Sequence, residues 1–342
     1  MVAPRSDAGT SFPDPSLLMS LALAYRASTV LFAAAELDVF TQVAGGATSA
    51  EEVARACGAK LEPTRLLLEA CVADGVLSRD GDRYANTPAV DAYLVRGRPG
   101  YIANGLKFAE DLYPAWGRLA ELVRTGRPVM PPETVLGEDR EKTRAFVYAM
   151  HERAKGMSAV LPHGADFSGR RHMIDVGGGP GTYSIALVRQ NPGLRSTVLD
   201  RPGVLEFTRE IVAESGCADR IALRAGDYLT SDYGSGFDAA LLSGMMHRET
   251  PESCQRILRK TYEALEPGGL AVVSDVFFED DSKTTPRFAI YFALNMMLMS
   301  NEGAAHAKTE MARWLSDAGF RDVEVRNLPA PNPHSLVVGI RS

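Results

Sequence analysis

The stretch His172 to Gly181, His-Met-Ile-Asp-Val-Gly-Gly-Gly-Pro-Gly, limits the possible folds more than any other part of the chain. Met173, Ile174 and Val176 suit a strand buried on both faces, with Asp175 at its carboxyl end, and Tyr183 to Arg189 reads as a helix. Gly177, Gly179 and Gly181 let the backbone pass close beneath a ligand whose volume a side chain would fill. Strand, glycine turn and helix in that order open the nucleotide-binding half of a doubly wound α/β fold. The spacing G-x-G-x-G fits a dinucleotide phosphate less well than G-x-G-x-x-G, and no Lys-Ser/Thr follows to make a triphosphate loop.

Further strands extend the pattern. Arg195 to Leu199 ends in Asp200, where a carboxylate can accept hydrogen bonds from two ribose hydroxyls. Ile221 to Arg224 leads into Gly226-Asp227-Tyr228, an acid and an aromatic ring able to hold and stack on an adenine. Phe237 to Leu242 opens into Ser243-Gly244, and Leu270 to Ser274 ends at Asp275. Val323 to Leu328 and Leu336 to Ile340 suit a closing antiparallel pair.

The order Asp-Val-Gly-Gly-Gly-Pro-Gly, Asp200, Gly226-Asp227, His247 and Leu265-Glu-Pro-Gly-Gly269 resembles the S-adenosylmethionine-dependent small-molecule methyltransferases of the plant caffeate and hydroxyindole O-methyltransferase type. The resemblance covers nearly the whole chain. It implies a Rossmann-like class I methyltransferase domain preceded by a winged-helix dimerisation domain, and S-adenosylmethionine as cofactor. The implied cofactor residues are Gly177, Gly179, Asp200, Gly226, Asp227, Tyr228 and Ser243, with His247 in the general-base position and Asp275 setting its orientation.

Bulk properties fit that reading. A length of 342 residues suggests about two domains, and a formal charge of −6 argues against nucleic acid, which needs clustered Lys and Arg. Cys57, Cys71, Cys217 and Cys254 form no C-x-x-C pair, and no secretory segment is evident. A cytoplasmic protein with no membrane partner is the expectation, and no apolar run reads as long enough to cross a bilayer.

The expected divisions are a disordered start (1–14), the dimerisation domain (15–100), a helical linker that walls the acceptor pocket (101–165) and the cofactor domain (166–342). Leu17 to Leu37 has helical periodicity, and Asp38-Val39-Phe40 reads as a turn. Thr48-Ser-Ala-Glu51 reads as a capping box before a helix at Ala50 to Cys57, a helix spans about Glu62 to Asp74, and Asp80-Gly81 marks a hairpin. Three helices and a hairpin make a winged helix. Its basic residues are too few beside Glu62 and Glu69 for a DNA reader, so it is assigned to a homodimer interface. Pro128, Pro131 and Pro132 separate a helix pair from a long helix, Arg140 to Leu161, on which Phe146 and Met150 share a face toward the acceptor, with His151 a weaker candidate.

Two departures from the resembled pattern bear on the chemistry. His247 is followed by Arg248 and Glu249 where Asp and an aromatic residue are usual, and the family's second acidic partner is replaced by Ala307, beside His306. His247, His306 and Asp275, with Glu249 competing for the third place, therefore read as a facial set for Fe or Zn. Such an ion would chelate a 2-oxoacid and stabilise its enolate for C-methylation, with Arg248 pairing the substrate carboxylate. The alternative is O-methylation of a phenol or other hydroxyl with His247 as base, and the third is a cofactor-binding protein that transfers no methyl. The apolar stretch Phe288 to Met299, with Met296 and Met299, would form the other wall of the pocket for a small, apolar secondary-metabolite precursor.

Overall fold

The computed structural model describes residues 13–130, 139–300, 303–329 and 332–342. The disorder expected at the start and the breaks expected at Pro131 and Pro132 fall largely or wholly outside these residues. The chain divides into two compact units, residues 1–110 and 111–342.

The first unit contains α1 (Ser16–Leu23), α2 (Tyr25–Glu36), α3 (Val39–Ala44), α4 (Ala50–Ala56), α5 (Leu61–Ala73), the hairpin β1 (Leu77–Asp80) and β2 (Arg83–Asn86), and α6 (Pro88–Tyr93). The expected turn at residues 38–40 is instead the start of a helix, because Val39, Phe40 and Val43 bury one face in the same small core as Leu68, Cys71 and Tyr84. The capping box sits one residue later than expected: the Ser49 hydroxyl accepts from the Glu52 amide, and Glu52 accepts from the Ser49 amide. Asp80 pairs with Arg83, so Gly81 and Asp82 form the hairpin turn, with Gly81 at φ +54°. Residues Ser16–Glu36 correct the expectation about apolar runs. By length and composition alone this 21-residue stretch, of mean hydropathy 1.6, is apolar enough to cross a membrane, and only 6% of its most apolar part is buried within the chain. Leu17, Leu18 and Leu21 lie exposed along it.

Helix α7 (Ala103–Trp116) spans the division between the units. The second unit continues with α8 (Leu119–Thr125) and α9 (Arg140–Val160), whose first turn is capped by Asp139 accepting from the Glu141 and Lys142 amides. Then come β3 (His172–Val176), α10 (Thr182–Gln190), β4 (Arg195–Asp200), α11 (Pro202–Glu214), β5 (Ile221–Ala225) and β6 (Phe237–Ser243). After these follow α12 (Pro251–Ala264), β7 (Leu265–Asp275), β8 (Phe277–Phe278), α13 (Arg287–Met299), β9 (His306–Ala307), α14 (Lys308–Asp317), β10 (Phe320–Asn327) and β11 (Ser335–Arg341).

Seven strands form one sheet in the order β10-β11-β7-β6-β3-β4-β5. The five strands β3 to β7 run parallel, and β11 joins β7 antiparallel with β10 outside it. Successive residues face opposite cores: Met173, Leu241, Val272 and Leu336 pack on one side, while Ile174, Leu242, Val273 and Val337 pack on the other. A sheet covered on both faces needs such unbroken apolar strands. Because the chain runs outward through β4 and β5 and returns to place β6 beside β3, the order reverses at β3. The crevice beyond the carboxyl ends of β3 and β6 is where such a sheet takes a ligand.

Candidate active site

The glycine turn at the end of β3 is held from below. Asp175 is buried and accepts from the Ser184 hydroxyl at 2.6 Å, and a side-chain carbon on Gly178 would lie 2.6 Å from its carboxyl carbon. Burial pushes this carboxyl up to about 7. Gly177 and Gly179, at φ +64° and +52°, turn the backbone so that the Gly179 amide points at Asp200 Oδ2, 2.8 Å away. Gly181 has a different role from the one expected. A carbon on it would meet Thr208 at 3.3 Å, so it permits helix packing against α11 rather than ligand approach.

The cofactor-side residues expected from the sequence converge here. Asp200 also accepts from the Arg201 amide at 2.7 Å, and Gly226 leaves no space for a side chain beside Ser231 and Leu199. Asp227 caps its own turn by accepting from the Leu229 amide. The Tyr228 ring stands 3.4 Å from where a side chain on Gly177 would begin, and its hydroxyl donates to Glu249 at 2.7 Å. Burial and then Glu249 push the Tyr228 phenol up. Ser243 and Tyr183 have neighbouring buried hydroxyls, and neither has a well-formed hydrogen-bond partner among the described residues. Left-handed glycines, an acid at the end of the second strand and polar atoms awaiting partners fit a nucleoside cofactor with a charged tail.

On the other side of the crevice a 3₁₀ turn, Met246–Arg248, presents His247. Its Nδ1 lies 2.7 Å from Asp275 Oδ1, and its backbone amide donates to Asp275 Oδ2 at 3.2 Å. Burial works against ionisation of Asp275, but His247, then His334 and the Val276 amide, hold the carboxyl down at about 2. It is therefore a fixed anion near neutrality. The edge contact between the His247 and Phe292 rings, 4.8 Å between centroids, sets the imidazole against α13. Phe292, Met296 and Met299 fall on one face of that helix. Met150 is half-buried on α9, whereas Phe146 packs against the main core, and His151 bonds Thr182 Oγ1 at 2.8 Å, tying α9 to α10.

The expected metal set does not assemble. His306 Nε2 is committed to two carbonyl oxygens, Met246 O at 3.2 Å and Glu249 O at 3.0 Å, and must carry its proton to make either bond. Asp275 is turned to His247, and Glu249 to Tyr228. No group of three or more His, Cys, Asp or Glu able to hold an ion occurs among the described residues. Arg248 lies near enough to Asp200 and Tyr228 for its charge to act on both.

Two residues escaped the sequence reading. Arg153 lies on α9 one turn from buried Ala149 and from Met157, and is itself exposed. Tyr183 and Asp275 are near enough to act on its charge. His334, 5% exposed, bonds Ser274 Oγ through Nδ1 at 3.1 Å. Its neighbour Ser335 pairs with Asp275, and that register brings His334 close to the Asp275 carboxylate.

Burial holds the His334 imidazole down at about 4, below the ordinary value of about 6.5. The unfolded chain therefore binds the extra proton first, and stability falls as pH drops from about 6.5 toward 4, by roughly 3 kcal/mol when complete. Asp175 acts in the opposite direction below pH 7, so the test is a difference between variants. The fall in Tm between pH 7 and pH 5 is expected to be smaller in His334→Gln than in the unaltered protein; equal falls would dismiss this account.

Comparison with known proteins agrees with this site. A family model for the O-methyltransferase domain matches residues 116–321, and one for the O-methyltransferase dimerisation domain matches residues 19–96. The chain is 32% identical over 335 residues to a tetracenomycin polyketide synthesis 8-O-methyl transferase of Streptomyces glaucescens, covering 96% of this chain and 98% of that one. It is 33% identical over 332 residues to a 3-hydroxy-5-methyl-1-naphthoate 3-O-methyltransferase of Streptomyces sahachiroi, covering 96% of each. Human N-acetylserotonin methyltransferase, solved in complex with S-adenosylmethionine, superposes with a TM-score of 0.86 at 27% identity, over 98% of this chain and 99% of that one. These relatives correct the leaning toward C-methylation of a 2-oxoacid, because they are named for O-methylation, and the ion expected to assist it has no ligand set among the described residues. With both family models matched in order and the sheet, glycine turn and His247–Asp275 pair in place, the chain belongs to the S-adenosylmethionine-dependent O-methyltransferase family.

Proposed function

We propose that this protein methylates a phenolic hydroxyl on an aromatic, polyketide-type precursor of a secondary metabolite such as an antibiotic. The observation that carries this reading is the His247–Asp275 pair, 2.7 Å apart, beside the apolar face of α13. On this reading Gly177 and Gly179 underlie the methionine part of S-adenosylmethionine, Asp200 takes the ribose, Asp227, Tyr228 and Ser243 surround the adenine, and Arg153 pairs with the cofactor's carboxylate. The bound cofactor supplies a methyl group on a sulfonium, open to displacement. His247 uses the ring nitrogen opposite its bond to Asp275 to take the acceptor's hydroxyl proton. Asp275, ionised and buried, stabilises the imidazolium that forms and keeps the ring in one orientation. Phe292, Met296, Met299 and Met150 shape the wall for a flat, apolar acceptor. The N-terminal unit pairs two copies, covering the leucines left exposed on α1, and the four free thiols fit a reducing compartment.

The test is methyl transfer from isotopically labelled S-adenosylmethionine to a panel of hydroxynaphthoates, hydroxyanthraquinones and 2-oxoacids, with and without a strong chelator. Label is expected on oxygen of an aromatic acceptor, at a rate the chelator leaves unchanged. Label on carbon, or loss of turnover on chelation, would overturn the proposal.

A further inference from the structure

We infer that His306 is a positioning residue for the reaction, locking the turn that carries His247 through a single shared hydrogen. The inference rests on His247 being the base proposed above. The turn has few supports of its own: the Arg248 amide bonds Met245 O, and the Glu249 amide bonds Met246 O, each at 3.1 Å. A one-turn 3₁₀ segment is intrinsically weak. His306 Nε2–H lies between the carbonyl before His247 and one two residues after it, Met246 O and Glu249 O, at 3.2 and 3.0 Å. A hydrogen shared in this way draws the two ends of the turn toward one point. Cys254 Sγ adds a contact to Met246 O at 3.4 Å.

His306 is itself rigidly held. It is 3% exposed, its ring meets the Trp314 edge at 5.0 Å, and its backbone pairs with Phe277 in the short β8–β9 ladder. Phe277 lies two residues beyond Asp275, so one stretch of backbone anchors both grips on the turn. Asp275 fixes the imidazole of His247 and its backbone amide. His306 fixes the carbonyls on either side. The two carbonyls can only accept, so the neutral ring must carry its proton on Nε2, and the Cys254 thiol lies 3.5 Å from the same nitrogen as a weaker third contact. The turn also reaches the cofactor side, because Glu249 accepts from Tyr228. Its placement thus sets the base relative to the place where the donor methyl must lie, and displacement by about 1 Å costs roughly a hundredfold in rate.

The test compares His306→Leu, His306→Gln and His306→Asn. The Gln amide can place a donor near the position of Nε2, whereas the shorter Asn amide stops short of both carbonyls. The Leu and Asn variants are expected to lose about ten- to a hundredfold in kcat. KM for S-adenosylmethionine should stay within about twofold, and Gln should recover most of the loss. Amide exchange of residues 246–250 should rise in Leu and Asn and return toward normal in Gln, a readout that needs no acceptor. Gln and Asn behaving alike in both measurements, or kcat unchanged in all three, would overturn the inference. Should Leu fail to fold, the Gln–Asn comparison decides it alone. Failure of the unaltered protein to methylate any hydroxyl would count against the proposed function, and the exchange comparison would still decide the role of His306.

Discussion

Replacing His247 by Ala is expected to lower kcat by about two to four orders of magnitude, the usual contribution of a positioned general base. The size of the effect follows from the geometry. Asp275 sits 1% exposed with its carboxylate against His247 Nδ1, so the ring is held in one orientation with its other nitrogen turned away from that bond. His247→Gln should do little better, because an amide cannot accept a full proton. Cofactor affinity, measured by calorimetry with S-adenosylhomocysteine, should be unchanged within about twofold, since the proposed cofactor contacts lie mainly on β3, β4 and the loop after β5. Asp275→Asn should approach the same loss by removing the charge that stabilises the imidazolium. A variant at 247 retaining more than about a tenth of the kcat would remove the residue from its proposed role.

Replacing Asp200 by Ala should instead weaken the binding of S-adenosylmethionine by about a hundredfold, as expected for losing charge-assisted hydrogen bonds worth roughly 1.5–3 kcal/mol each. Its carboxylate accepts the Gly179 and Arg201 amides, so the acid shapes the glycine turn beside which the ribose is proposed to lie. Asp200→Asn keeps one acceptor oxygen and should lose about tenfold. At saturating cofactor the Asn variant should turn over nearly normally, which separates it from the substitutions at 247. Unchanged affinity in the Ala variant would show that the ribose lies elsewhere.

The strands and the glycine turn of the proposed cofactor side were legible because their determinants are local. Alternating burial, glycines at fixed offsets from β3 and an acid at the end of β4 all follow from short-range rules, and the chain places them as read. The role of Gly181 was not, since the neighbour that excludes a side chain there, Thr208, lies on another helix. His306 was misread for the same reason. Two histidines and a carboxylate suggest a metal on composition, but the carbonyls of the 246–249 turn lie within hydrogen-bond range of its Nε2 and already occupy it. His334 and Arg153 had no signal of their own. The first depends on the antiparallel register of β11 against β7, the second on the rotation of a long helix whose other face fills the core. At residues 38–44, burial of Val39, Phe40 and Val43 produced a helix where local composition suggested only a turn.

The division of labour around β3 bears on how relatives of this chain diversify. Residues proposed to handle the methyl donor come mainly from successive loops between residues 177 and 243, whereas the proposed acceptor wall is lent largely by α13, which is inserted between β8 and β9 outside the large sheet. Substitutions along the Phe292–Met296–Met299 face leave the strand register untouched. Such a layout lets acceptor preference drift under selection while donor chemistry is inherited intact, and it marks α13 as the segment to exchange when a new aromatic scaffold is to be methylated.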